Sequence, residues 1–341
     1  MKIILKPIKA QAAVVFGASS GIGRLTALEM AKRGAKICAA ARSVEGLKSL
    51  VGEIESAGGE AFYAEADAAD FEQVKAVADK CVERYGRLDT WIHAAGAFLF
   101  ATVEKSEPDE YKRLIEVNLL GQIYGAKAAL PYLKERGGAL IHVTSVEAVR
   151  TAPYQSAYGA SKHGVHGFLQ VLRVELARDA VPVSVTEILP AAINTPIYEK
   201  GRNKMPFKMR PVPPVYHPQV VADAILYAAE NPVRDLVAGG AGLGVVYAER
   251  FSPRVADFFS ETIGFAGQNA GAKDSPEQFA DNLFAPVSGY DTIEGNFSGE
   301  QFSSDPYTFI KTSPRVKNSL LFGAIGVLGG AFAWKFLRRK D

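Results

Sequence analysis

Gly17-Ala18-Ser19-Ser20-Gly21-Ile22-Gly23 follows directly on the apolar run Ala12-Ala13-Val14-Val15-Phe16 and leads into a segment of helical periodicity, Arg24–Lys32. A strand, a glycine-rich turn and a helix in that order make a phosphate cradle. A turn that lacks Cβ atoms lets its backbone approach a pyrophosphate closely, and the helix N-terminus behind it offers unpaired N–H groups at the positive end of a dipole. Gly17, Ser19, Ser20, Gly21, Ile22 and Gly23 are therefore the first candidate cofactor residues. Glycines also serve turns for steric reasons alone, and it is the strand–turn–helix context that gives these a binding role.

Outward from this turn the same rhythm repeats. Short apolar, β-branched runs at Ala12–Phe16, Ala35–Ala41, Glu60–Ala66, Leu88–Ala94, Ala139–Thr144 and Pro182–Ile188 alternate with longer helical segments, and a weaker run lies at Asp235–Ala238. Strand–helix alternation predicts an α/β fold with a mainly parallel sheet. Runs that are apolar throughout predict strands covered by helices on both faces.

Two later strand ends carry polar signals. Where an acidic residue commonly accepts from an adenosine ribose, the second strand ends in Ala41-Arg42-Ser43. The planar fork of Arg42 suits a 2′-phosphate, with Ser43 and Arg24 assisting, which points to NADP(H) over NAD(H). Asp67 and Ala68 end the third strand beside the expected adenine, and Ala94-Ala95-Gly96 ends the fourth. Ligands of open α/β sheets bind at such carboxyl ends.

Tyr158-Gly-Ala-Ser-Lys162 places a phenol and an ammonium one helical turn apart, downstream of Ser145 at the end of the fifth strand. A nearby ammonium favours the phenolate, so Tyr158 is expected to have a lowered pKa and to exchange a proton with a substrate oxygen. Ser145 would hydrogen-bond the same oxygen.

Together these motifs resemble the short-chain dehydrogenase/reductase family, in its subgroup of about 250 residues, over roughly Ala12 to Gly240. The resemblance implies a Rossmann-type, doubly wound, seven-stranded sheet and a catalytic set of Ser145, Tyr158, Lys162 and Asn118. It further implies that Lys162 contacts the nicotinamide ribose and that Asn118, in Val-Asn-Leu-Leu-Gly121, holds a relay water. The turn Leu189-Pro-Ala-Ala-Ile-Asn-Thr195 then faces the nicotinamide carboxamide, which adds Pro190 and Ile193 to the cofactor set. Two positions depart from the family pattern. Ala191 replaces a glycine, and His93 stands where asparagine is common and is read as a packed strand-end residue. Glu147 and His163 flank the catalytic positions as further candidates for orienting substrate. The family likeness also implies a homodimer or homotetramer.

Composition excludes several classes. With 341 residues, 48% hydrophobic and 22% charged, the chain can bury a core. Its 39 basic and 37 acidic residues are dispersed without a long basic run, which argues against a nucleic-acid partner. Only Cys38 and Cys81 occur, with no CxxC and no Cys/His cluster, so neither a disulfide framework nor a metal site is expected. The lysine-interrupted start lacks a secretory signal, and a cytoplasmic enzyme domain is expected.

The expected organisation is a catalytic domain over 1–248, a loop-rich extension over 249–316 and a hydrophobic tail helix over 317–341. Phe284, Tyr290 and Phe297 favour docking of the extension on the main domain, against a flexible linker. The uncharged run Ser319–Trp334, extended by Phe336 and Leu337, approaches the roughly 20 residues that cross a bilayer. Residues 319–337 are thus read as a membrane anchor, with a helix packed on protein as the alternative.

These features predict NADP(H)-dependent hydride transfer to or from a carbonyl or alcohol. The loop Thr195–Pro218, with Ile197, Met205, Phe207 and Met209, suggests a moderately apolar substrate. The alternatives are a non-catalytic, membrane-associated NADP(H) sensor or scaffold, which has no physical need of a tuned phenol, and an isomerase or dehydratase of the extended Rossmann type, disfavoured by the glycine spacing.

Overall fold

Ala12–Phe16 (β1) is buried at every position, because it lies between two parallel neighbours and under helices on both faces. The computed structural model describes residues 3–272 and 280–313. Its main sheet continues with β2 (Lys36–Ala41), β3 (Glu60–Glu65), β4 (Thr90–His93), β5 (Gly138–Val143), β6 (Val183–Pro190) and β7 (Asp235–Ala238). The spatial order of the seven strands is β7-β6-β5-β4-β1-β2-β3, all parallel. This is the doubly wound Rossmann-type arrangement expected. The order reverses between β1 and β4, which opens a crevice at their carboxyl ends.

Alternation along the strands sorts the core into two halves. Ala13, Val15, Ile37, Ile92, Ile141 and Ile188 point to one face with α1 (Gly21–Lys32), α2 (Val44–Ser56) and a helix at Gln219–Glu230. Val14, Phe16, Trp91 and Leu140 point to the other with α3 (Phe71–Tyr85), α5 (Gly121–Arg136) and α6 (Ser156–Arg178). Ser43 and Asp70 cap α2 and α3 by accepting the Gly46 and Gln73 amides, and Gly86 ends α3 in the left-handed region. The edge strand β3 departs from the two-sided burial expected. It pairs only with β2 and leaves Glu60, Tyr63 and Glu65 exposed.

Between α4 (Pro108–Ile115) and α5 the helix widens into a π-turn, Glu116–Leu120, which carries Asn118. Beyond β6 come the short α7 (Ile197–Lys200) and then α8 (Gln219–Glu230).

The region expected to be loop-rich begins as helix. α9 (Ala241–Phe251) runs through the boundary placed at 248/249 and is followed by α10 (Pro253–Phe259) and a π-turn over Ser260–Gly264. Asn269–Ala272 then pairs with Phe207–Met209. Residues 280–297 cross the carboxyl end of the sheet, Gln301–Phe302 pairs with Val215–Tyr216, and α11 (Pro306–Thr312) packs on α8. No helix among the described residues is long and apolar enough to cross a membrane, and the tail read at 319–337 lies outside them.

Candidate active site

The turn after β1 is shaped by backbone proximity. Gly17 has φ +90°, and a Cβ there would sit 2.4 Å from the Ala95 amide nitrogen. At Gly23 a Cβ would lie 2.2 Å from the Gly17 carbonyl oxygen. Only glycine lets α1 start this close to the strand, and the turn so formed fits a dinucleotide pyrophosphate. The groove in front of it is lined by Gly17, Ser19, Ser20, Gly21, Ile22, Gly23, Arg42, Asp67, Ala68, Ala94, Ala95 and Gly96, which the fold brings together.

The electropositive side of the groove is built differently from the sequence reading. Arg42 faces it and donates to three carbonyls of the extension, those of Asn282 at 2.6 Å, Phe284 at 3.2 Å and Leu283 at 3.4 Å. Among the described residues it makes no ion pair, so its charge has no carboxylate in contact. Ser43 lines the groove, but Arg24 does not assist there. Arg24 is buried between α1 and α2, where it donates to Gly46 O, Ser49 Oγ and the Glu53 carboxylate. Its place on α1 turns it toward α2 and away from the groove.

Asp67 accepts from Arg113 at 2.6 Å and from the Ala69 amide at 3.0 Å. Burial alone would raise its pKa, but the amide, the Arg113 guanidinium and the charge of Arg42 hold it below the usual carboxylate range. Arg113 also donates to Leu283 O at 3.1 Å. Lys200, Asn282, Pro286 and Val287 reach the groove from distant segments without a local motif, and Arg113 stands behind it on Asp67, so the sequence singles out none of them.

Beyond Ile22, Ala94–Gly96 and Thr195 the groove opens into a second cavity of about 560 Å³. Ser145, Tyr158 and Lys162 line it, with Pro190 and Ile193 on its floor. Ser145 caps the short turn Val146–Ala148 by accepting the Glu147 amide at 3.1 Å, and its hydroxyl favours the ionised form of Tyr158. Lys162 Nζ lies 5.3 Å from the centre of the Tyr158 ring and donates to Val143 O at 3.2 Å. Asn118 stands behind the cavity wall. Its amide grips the Ala97 backbone at 2.8 and 3.0 Å and reaches Ser161 Oγ at 3.3 Å, beside Lys162.

Contrary to the lowered pKa expected for it, Tyr158 is held above the ordinary phenol value. Burial raises it, the charges of Glu147 and Tyr198 add to this, and the Ser145 hydrogen bond works against them. The ammonium is engaged with a carbonyl rather than with the phenol oxygen, so desolvation prevails. Burial also draws Lys162 down to about 8, opposed by Glu187 and Glu147. Glu147 is itself pushed up to about 8 by burial, against the Ala152 amide and Lys162. Gln155 Nε2 donates to Gln268 Oε1 at 2.5 Å, which leaves its amide oxygen facing the Glu147 carboxyl at 2.7 and 3.0 Å.

The remaining flanking residues have structural partners. His163 contacts the Gly159 and Val149 carbonyls at 2.9 and 3.2 Å. His93 is fully buried and stacks on Phe16 at 5.0 Å, and burial holds it neutral. Ala191 has no positive φ, so the turn after β6 needs no glycine there. Phe98, Tyr198, Val245, Phe259 and Ile263 wall the cavity, the last three contributed by the segment after β7. Arg150 ties that roof down through Glu249 at 3.1 Å and Asp257 at 2.8 Å.

Residues 11–206 match the family model described as short chain dehydrogenase. An uncharacterized oxidoreductase of Bacillus subtilis, YxnA, is 34% identical over 343 residues, spanning 99% of this chain and 93% of the relative. A 3beta-hydroxysteroid dehydrogenase of Mediterraneibacter gnavus is 34% identical over 189 residues, 55% of this chain and 68% of that one. Among solved structures, an alcohol dehydrogenase from the archaeon Thermococcus sibiricus complexed with 5-hydroxy-NADP superposes with a TM-score of 0.59 at 29% identity, covering 67% of this chain and 95% of that chain.

Proposed function

Because the chain is an oxidoreductase of the short-chain dehydrogenase family, we propose that it transfers hydride between NADP(H) and the carbon of an apolar carbonyl or alcohol, with Tyr158 moving the proton. The observation that carries this reading is the presence of the Ser145 and Tyr158 hydroxyls, with Lys162 Nζ 5.3 Å from the centre of the Tyr158 ring, in the lining of the cavity into which the groove opens. Substrate oxygen placed against both hydroxyls has a proton donor and a hydrogen-bond donor at once.

A bound nicotinamide supplies the hydride or accepts it. In the reductive direction Tyr158, kept protonated by its burial, gives its proton to the oxygen as charge develops there. The Ser145 hydrogen bond then steadies the phenolate. Lys162 adds positive charge beneath the ring and holds its place through Val143 O. Asn118 acts at one remove, fixing the loop after β4 to α6 through Ala97 and Ser161.

NADP(H) is favoured by Arg42, a guanidinium with no ion pair among the described residues at the position suited to a 2′-phosphate. An apolar substrate is favoured by the walls of the second cavity, including Phe98, Val146, Val212, Phe259 and Ile263, and by a volume in the usual range for organic ligands. The test is consumption of NADPH, against NADH, by the full-length chain with a panel of aliphatic, aromatic and steroid-like ketones and aldehydes. Turnover that prefers NADPH and rises with substrate apolarity is expected. NADPH binding without turnover on any carbonyl or alcohol would overturn the catalytic reading.

A further inference from the structure

Lys200 ends α7, the single helical turn after β6, and lines the groove together with Gly17, Ser20 and Arg42. Its Nζ donates to Ser20 Oγ at 2.6 Å. Ser20 is the N-cap residue of α1, and its side chain makes no capping hydrogen bond. Among the described residues Lys200 makes no ion pair. Its own carbonyl accepts from the Asn282 amide at 2.8 Å, so the extension pins the turn that carries it.

The groups facing this ammonium come from several elements. Arg42 approaches from the end of β2, Glu199 from its own helix and Asp291 from the extension. Glu45 of α2 and Tyr290 share with it a small cleft beside Ser43 and Gly46. Two cations, Lys200 and Arg42, thus line one groove, and the charge of Arg42 raises the cost of ionising Lys200. Like charges gathered at a glycine turn and a helix start are relieved by an anion seated between them.

We propose that Lys200 is a cofactor-binding residue, whose ammonium completes the anion site at the glycine turn and neutralises the pyrophosphate of the dinucleotide. This assignment rests on the reading of the groove as an NADP(H) site, and it adds a contact from beyond β6 to a turn otherwise built from uncharged groups. Burial draws Lys200 down to about 8. A phosphate against Nζ raises it again, so binding near that pH takes up a proton at Lys200 and weakens as the pH climbs further.

Calorimetric titration of the full-length protein with NADPH and with NADH at pH ~8, in two buffers of different ionisation enthalpy, tests this. K200M is expected to bind both dinucleotides about 10- to 100-fold more weakly, the loss of one charge-assisted contact. K200R recovers most of that affinity. The proton uptake seen with the native chain disappears in K200M. Native binding with unchanged affinity in K200M overturns the assignment. So does a loss confined to NADPH, which would move the contact to the 2′-phosphate, and so does proton uptake that survives in K200M. An equal loss in K200M and K200R, with a lower unfolding temperature of the ligand-free protein, would make Lys200 a structural residue and also overturn it. A native chain that binds neither dinucleotide instead overturns the reading of the groove itself.

Discussion

The guanidinium of Arg42 donates to the carbonyl oxygen of Asn282 at 2.6 Å, joining two residues 240 positions apart. The carbonyls of Leu283 and Phe284 complete its surroundings, so the side chain is oriented by neutral acceptors. Orientation without neutralisation is what a phosphate-binding arginine requires. Arg42→Ala is expected to raise KM for NADPH by about 10- to 100-fold and KM for NADH by no more than ~3-fold. Steady-state kinetics with both dinucleotides measure the ratio, and an equal loss for the two would count against a 2′-phosphate contact.

Removing the Tyr158 hydroxyl takes away the proton donor while leaving the ring contact with Phe98, whose centroid lies 5.0 Å away. Tyr158→Phe should therefore bind NADPH as the native chain does and lose roughly 10²- to 10⁴-fold in turnover. Ser145→Ala should cost about 10²- to 10³-fold in kcat. Fluorescence titration of bound NADPH separates binding from chemistry in both variants.

Glu147 has a folded-state pKa of about 8 against an ordinary value of 4.5. A carboxyl raised in this way favours the folded chain fully below its ordinary pKa, and the contribution is lost as the pH rises through about 8. Glu147→Gln cannot ionise and keeps an acceptor and a donor for Gln155. The fall in unfolding temperature between pH ~5 and ~8 should be shallower in this variant than in the native chain. Parallel melting curves across that range would remove Glu147 from the account.

Gly23→Ala places a methyl group 2.2 Å from the Gly17 carbonyl, backbone against backbone, with no flexible side chain to yield. A destabilisation of about 1–3 kcal/mol is expected, together with loss of dinucleotide affinity. Gly52→Ala is the matching control. It lies inside α2 with nothing within 4 Å of the added Cβ, and should stabilise the chain by up to ~1 kcal/mol. Chemical denaturation of the two variants gives the comparison.

The sheet is legible because its inner strands are buried on both faces, so that their apolar runs stand out, whereas the edge strands carry exposed polar residues. The glycine turn and the Tyr158–Lys162 spacing are legible because each is a local geometry. The helices α9 and α10 are not, since Phe251 and Phe258 are 82% and 60% exposed and only Gly242, Val246 and Ala256 of the two helices are buried. The electrostatics of the site also escaped the sequence. Spacing puts Lys162 beside Tyr158, but only the fold shows its ammonium engaged with Val143 O and the half-buried phenol packed on Phe98. Lys200, Asn282 and Pro286 converge on one groove from segments that sequence proximity does not connect.

The crossing of 280–297 over the sheet also orders events during synthesis. Gly21 donates its amide to Thr292 O at 2.9 Å, so a turn made near the start of translation finds one of its partners near the end. At about 5–20 residues per second, tens of seconds separate the emergence of Arg42 from that of Asn282. A nascent chain that still lacks residues 280–297 can build the sheet, and the side of the groove they form is completed last.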